Sequence, residues 1–184
     1  MDSVSNISPL DYERFKLFLE QACGILLGEG KQYLIVSRLT KLLRDENIPS
    51  VSALLQAIEL GRPRHLRDAV VDAMTTNETS WFRDQTPFMI LEKEVFPEMD
   101  RNAKRQCRIW SSACSSGQEP YTISITLNEY LTQAVSSGLA SSQIMATDIS
   151  MSMLATAKKA EYDEAVLGRG LTAERKLKFF ISKG

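Results

Sequence analysis

Four helical segments, then a strand, a small-residue loop, a helix, a second strand ending in an acid and a further helix, predict an α/β chain. It should comprise a small all-helical N-terminal domain followed by the first part of a Rossmann-like domain. Three observations carry this. Apolar residues recur at helical spacing up to about residue 74; the grammar changes after Thr86-Pro87; and two short β-rich runs then alternate with amphipathic stretches.

Ser8-Pro9 predicts a helix start, with Ser as cap and Pro in the first turn, and Leu10, Phe15, Phe18 and Leu19 follow at helical spacing. Gly24, Gly28 and Gly30 end that helix. A second is expected from about Lys31 to Arg44, burying Leu34, Ile35, Leu39, Leu42 and Leu43. NIPS, 47–50, is a loop whose Ser50 caps VSALLQAIEL, which Gly61 stops, and RPRHLRDAVVDAM forms the fourth helix. PFMILEKEVFPEM reads as one more helix stopped near Pro97. Cys107 to Trp110 is a strand, EPYTISITLNEYL a helix, SQIMATDIS a strand ending at Asp148, and MSMLATAKKA and LTAERKLKFF are helices. Two strands fall short of the four to six that a doubly wound sheet generally needs, so the second domain is expected to be incomplete.

The composition narrows the function classes. With 43% hydrophobic and 24% charged residues the chain is globular, and 22 Lys+Arg against 23 Asp+Glu give no bulk attraction to nucleic acid or anionic lipid. Cys23, Cys107 and Cys114 lack metal-site spacing and are expected to be small buried thiols in a reducing compartment. His65, the single histidine, lies in a basic helical stretch and reads as solvated, leaving no partner for nucleophilic triads. Without a signal peptide or an apolar run near 18 residues, a cytoplasmic location is expected.

Three stretches can carry chemistry. TTNETSWFRD, 75–84, sets six polar residues against Trp81 and Phe82, the half-polar, half-apolar lining that suits a small-molecule pocket. SSACSSGQEP, 111–120, lets backbone approach a ligand at a helix start, where Glu119 can take an ammonium group or simply favour the helix N-terminus. Asp148, at the second strand's end, can accept both ribose hydroxyls or serve as a loop acid. Separately, Lys31, Arg38, Lys41 and Arg44 lie opposite the apolar face of the second helix, either as solvated surface or as a docking face for an acidic partner. No aromatic residue is interleaved with Arg38, Lys41 and Arg44, which are three apart, and this argues against single-stranded nucleic acid.

TTNETSWFRD, RIWSSACSSGQEPYTISITL and ATDIS, in that order, resemble the CheR family of chemotaxis receptor methyltransferases. The resemblance implies a helical receptor-recognition domain at 1–74, and at 75–184 a linker with an incomplete S-adenosylmethionine-dependent methyltransferase domain. It implies methyl transfer from S-adenosylmethionine to chemoreceptor glutamates, with S-adenosylhomocysteine as product. Asn77, Thr79 and Arg83 would line the methionine end of the cofactor, Glu119 would meet its amino group and Asp148 its ribose, with Arg83 also catalytic. Lys31, Arg38, Lys41 and Arg44 would bind substrate. The implied partners are the cytoplasmic domains of methyl-accepting chemoreceptors, with recruitment to membrane-bound arrays, and a regulatory protein, with no nucleic acid and no direct membrane insertion. Glu78-Thr79-Ser80-Trp81 departs from the family, which often has apolar or small residues and Phe there. The later strand with its Asn-containing motif and the receptor-tail subdomain of some members do not occur, so the chain is expected to be the N-terminal two-thirds of such an enzyme. The rival expectation is a non-catalytic S-adenosylmethionine-binding adaptor.

Overall fold

The computed structural model describes residues 7–183; the first residues of the expected 1–74 domain lie outside them. The chain divides into two compact units. One runs to Thr76 and takes in Ile149–Met151; the other holds Asn77–Asp148 and continues from Ser152.

The helical unit contains α1 (Pro9–Cys23), α2 (Gln32–Asp45), α3 (Val51–Glu59) and α4 (His65–Met74). Ser8 caps α1 by accepting the Asp11 N–H at 3.0 Å, and Gly24, at φ 73°, ends it in the left-handed conformation that glycine reaches without a Cβ penalty. Phe15, Leu19, Ile35, Leu39, Leu54 and Val70 are fully buried, because 3.6-residue periodicity on each helix turns them to one side. The glycine-bearing loop after α1 is latched by Tyr12, whose hydroxyl donates to the Gly28 carbonyl at 2.5 Å and accepts the Lys31 N–H at 3.2 Å. Arg14 grips Glu59 at the end of α3 with paired 2.8 Å bonds.

In the second unit, α5 (Thr86–Ile90), a π-helical turn (Leu91–Val95) and α6 (Phe96–Arg101) run without a break. The expected stop near Pro97 therefore does not occur. A proline inside an α-helix lacks a donor and its ring strikes the carbonyl four residues back. Here the turn ahead of it is widened, Phe96 N–H reaching back five residues to the Leu91 carbonyl, and the helix continues to Arg101.

Strands β1 (Arg108–Ser111) and β2 (Gln143–Ala146) pair in parallel, Arg108 facing Gln143 and Ser111 facing Ala146. The helix α7 (Gln118–Gln133) and a 3-10 turn (Gly138–Ser141) connect them. Strand β2 ends at Ala146, opposite Ser111 at the end of β1 and two residues short of the expected Asp148; beyond it Thr147 bonds to Ser111 and to Cys114 of the loop, no longer to a strand. The chain then forms α8 (Met151–Lys159), the short α9 (Glu164–Leu167), which was not expected, and α10 (Ala173–Phe179). Trp81 and Phe82 sit in the core of this unit with Phe88, Ile123, Ile125, Leu167 and Leu171. Trp81 packs edge-on to Tyr162 and Phe180, with centroids 5.0 and 5.2 Å apart. Arg175 lies 3.8 Å over the Phe82 ring while holding Glu129 through two bonds, tying α10 to α7. Of the three cysteines Cys114 is buried and Cys23 and Cys107 are half-buried. His65 is exposed and meets Glu46 at 2.8 Å. No helix among the described residues is long and apolar enough to cross a membrane.

Candidate functional site

The end of β1 and the start of α7 make the floor of the site. Ser111, the last residue of β1, is buried and its hydroxyl donates to a carboxylate oxygen of Glu119 at 2.7 Å, fixing that acid in the first turn of α7. The loop between them is held tightly. Cys114 N–H donates to the Thr147 carbonyl at 3.0 Å, and Thr147 N–H to the Ser111 carbonyl at 2.9 Å. Gly117 sits at φ 98°, and a Cβ there would stand 2.8 Å from the Tyr162 hydroxyl, which donates to the Ser116 carbonyl at 2.7 Å. Only glycine closes this turn without displacing Tyr162.

Asp148 accepts the Ser115 N–H at 2.7 Å, and the Ser115 hydroxyl donates to the Asn77 carbonyl at 2.9 Å. The three sequence-separated stretches thus meet at one serine. The downstream end of the 77–83 segment is held by Trp81 N–H on the Arg169 carbonyl at 3.1 Å and Phe82 N–H on Thr122 Oγ1 at 3.3 Å.

Between these anchors lies a cavity of about 790 Å³ whose walls include Thr79, Ser80, Arg83, Ser115 and Glu119 on the polar side. Phe88, Ile90, Leu91 and Ile123 supply the apolar side. Of the expected cofactor residues, Thr79, Arg83 and Glu119 share this lining; Asn77 and Asp148 adjoin it through Ser115. Arg83 is exposed and spends one N–H on the Glu78 carbonyl at 3.1 Å. The apolar wall is not the one expected. Trp81 and Phe82 turn into the core, and α5 and the π-turn provide the facing side chains instead. Ser111 and Ser115 were not singled out in the sequence; serines beside a strand end and before a glycine turn were the available signal.

Lys31, just ahead of α2, and Arg38, Lys41 and Arg44 on it all belong to the helical unit. Lys31, Lys41 and Arg44 are exposed, Arg44 lying 3.6 Å from Asp45. Arg38 is half-buried, and its guanidinium donates to the carbonyls of Met74 and Thr75 and to Thr76 Oγ1, closing the end of α4. It is therefore less a part of the exposed stripe than periodicity implies.

A parallel strand pair with a tight loop, an acid at the following helix start and an acid after the second strand define a Rossmann-like nucleotide-cofactor domain. Comparison with known proteins makes this specific. Residues 10–75 match the CheR methyltransferase all-alpha domain and residues 77–184 the CheR methyltransferase S-adenosylmethionine-binding domain. The chain belongs to the CheR methyltransferase family, whose second domain takes S-adenosylmethionine as cofactor. It is 51% identical over 176 residues to "Chemotaxis protein methyltransferase Cher2" of Pseudomonas putida, covering 95% of this chain and 64% of that protein. "Chemotaxis protein methyltransferase 1" of Pseudomonas aeruginosa is 50% identical over 175 residues, with the same coverage. "Chemotaxis protein methyltransferase" of Vibrio parahaemolyticus is 51% identical over 179 residues, 97% of this chain and 64% of that protein. The chain thus spans just under two thirds of the length of these curated relatives.

The cavity's residues fit that cofactor. Glu119 presents a carboxylate and Arg83 a guanidinium on the same lining, charges opposite in sign to the two ends of an amino acid. The lining holds no histidine or cysteine that would compete as a base or nucleophile.

Proposed function

We propose that this chain carries the core of an enzyme that methylates glutamate side chains of bacterial chemoreceptors, forming glutamyl methyl esters. The observation that carries the reading is the cavity whose lining joins Thr79 and Arg83 of the polar segment to Glu119 of the loop–helix turn. S-adenosylmethionine supplies the methyl group through its sulfonium. Glu119, fixed by Ser111, would hold its amino group, Arg83 its carboxylate, and Asp148, set beside the cavity by the Ser115 N–H, its ribose hydroxyls. Phe88, Ile90, Leu91 and Ile123 keep water from the reacting centre. A substrate glutamate is already ionised near pH 7, so the site needs no general base and contributes alignment. The 1–74 region is proposed to recognise the receptor, with exposed Lys31, Lys41 and Arg44 meeting an acidic helical surface and Arg38 bracing the helices behind them.

The test uses the full-length protein, radiolabelled cofactor and receptor cytoplasmic fragments. Base-labile label on receptor glutamates is expected, and Glu119→Gln should weaken S-adenosylhomocysteine binding about tenfold or more. Cofactor binding without any transfer would sink the enzymatic reading and leave the adaptor.

A further inference from the structure

Three hydrogen-bonded segments converge on Ser115, and its place in the fold explains what it does for them. The residue is buried, at 6% exposure, and it lines the cavity. Its backbone sits at φ 48°, a left-handed conformation uncommon for a non-glycine residue. That conformation aims its N–H at Asp148, 2.7 Å away, while its hydroxyl donates to the Asn77 carbonyl at 2.9 Å. One residue therefore touches the segment facing the amino-acid end of the cofactor and the acid facing the ribose.

The 77–83 segment has anchors at both ends. Trp81 and Phe82 are held by Arg169 and Thr122, and the Asn77 end is held by the Ser115 hydroxyl. Thr79 and Ser80, two of the cavity's polar residues, lie between. Losing the Ser115 hydroxyl removes one hold on the Asn77 end and loosens the stretch that must stay still for the cavity to keep its shape.

We propose that Ser115 is a positioning residue that couples the two ends of the cofactor site. Its hydroxyl sets the 77–83 segment against the amino-acid end, and its N–H independently sets Asp148 against the ribose. The inference rests on the proposed function, because it takes S-adenosylmethionine as the ligand of this cavity.

The two arms can be separated chemically. Ser115→Gly removes the hydroxyl, keeps the N–H for Asp148 and suits the positive φ, so the fold is retained. Ser115→Ala removes the same hydroxyl at a small backbone cost and controls for glycine flexibility. In the full-length protein, calorimetry with S-adenosylhomocysteine and with adenosine compares a ligand that uses both ends with one that uses the ribose end alone.

Both variants are expected to bind S-adenosylhomocysteine about tenfold more weakly while adenosine affinity moves less than about twofold. Amide hydrogen exchange at 77–83 in the ligand-free variants should quicken, with α7 unchanged. An equal loss for both ligands would overturn the proposal, since that is what general loosening produces. Unchanged affinities and unchanged exchange would overturn it as well. Wild-type protein that binds neither ligand would remove the methyl-transfer reading itself, and this inference with it.

Discussion

Gly170→Ala is the sharpest single perturbation of the second unit. Gly170 sits at φ 112°, and a Cβ built on it would stand 2.0 Å from the Trp81 carbonyl oxygen and 2.9 Å from the carbonyl carbon. The obstacle is backbone, so relief requires moving one strand of chain away from the other by about 1 Å. That movement stretches the neighbouring bond from Trp81 N–H to the Arg169 carbonyl, 3.1 Å long, and lifts Leu167 and Leu171 from the core they share with Trp81. A strained positive φ costs about 1–2 kcal/mol, overpacking about 1–3 and the lost hydrogen bond about 1. These terms share one displacement and are not fully additive, so a loss of about 4 kcal/mol is expected. Urea unfolding followed by tryptophan fluorescence reads it directly: Trp81 is 1% exposed and changes environment on unfolding, whereas Trp110 is 64% exposed already. A variant within about 1 kcal/mol of wild type would refute the close-approach argument and the rigidity assigned to residues 77–83.

Three further outcomes are expected. Arg38→Ala should destabilise the helical unit by about 2 kcal/mol in thermal or chemical unfolding, and Arg38→Lys should recover only part of it, because a point charge cannot span the Met74, Thr75 and Thr76 acceptors. Tyr130 donates to Asp100 at 2.6 Å, and that bond, with burial and the nearby charge, pushes its hydroxyl up to about 12. The resulting stabilisation is complete below the ordinary tyrosine range near 10 and is lost as pH climbs from about 10 to about 12, so the melting-temperature gap between wild type and Tyr130→Phe should narrow across that window. Reversing Lys41 and Arg44 to Glu should raise the KM for receptor fragments and flatten its salt dependence without moving S-adenosylhomocysteine affinity; an unchanged KM would make that face plain solvated surface.

The helices of the first unit were legible because their signals are local. Ser8-Pro9, Gly24 and Ser50 each do on the backbone what their side chains suggest. Arg38 shows where local reading stops: periodicity places it beside Lys41 and Arg44, but acceptors 36–38 residues away recruit its guanidinium. Pro97 predicts a stop only where the turn ahead of it is unwidened, and here that turn is π-helical. Asp148 falls outside β2 because a strand's end depends on its partner, and β1 ends at Ser111, opposite Ala146. In TTNETSWFRD the mixed character was plain, but hydrophobicity gives burial and not direction; Trp81 and Phe82 are buried in the core and the cavity wall comes from the next helix. The short α9 has only the Asp163 cap as a signal, and four residues give no period to detect.

The meeting of residues 77, 115 and 148 also sets an order of events during synthesis. The aromatic pair at 81–82 leaves the ribosome well before Asp148, which lies 65 residues beyond Arg83. At ordinary elongation rates that is a wait of roughly 3–13 s, during which Trp81 and Phe82 lack Leu167, Leu171 and the Gly170 backbone to pack against. Parallel strands 35 residues apart in register add the entropy of a long closure to the same step. A nascent chain in that interval displays a greasy, unpaired stretch of the kind that holding chaperones bind, so the yield of native protein in a cell is expected to follow chaperone supply more closely than the stability of the finished fold.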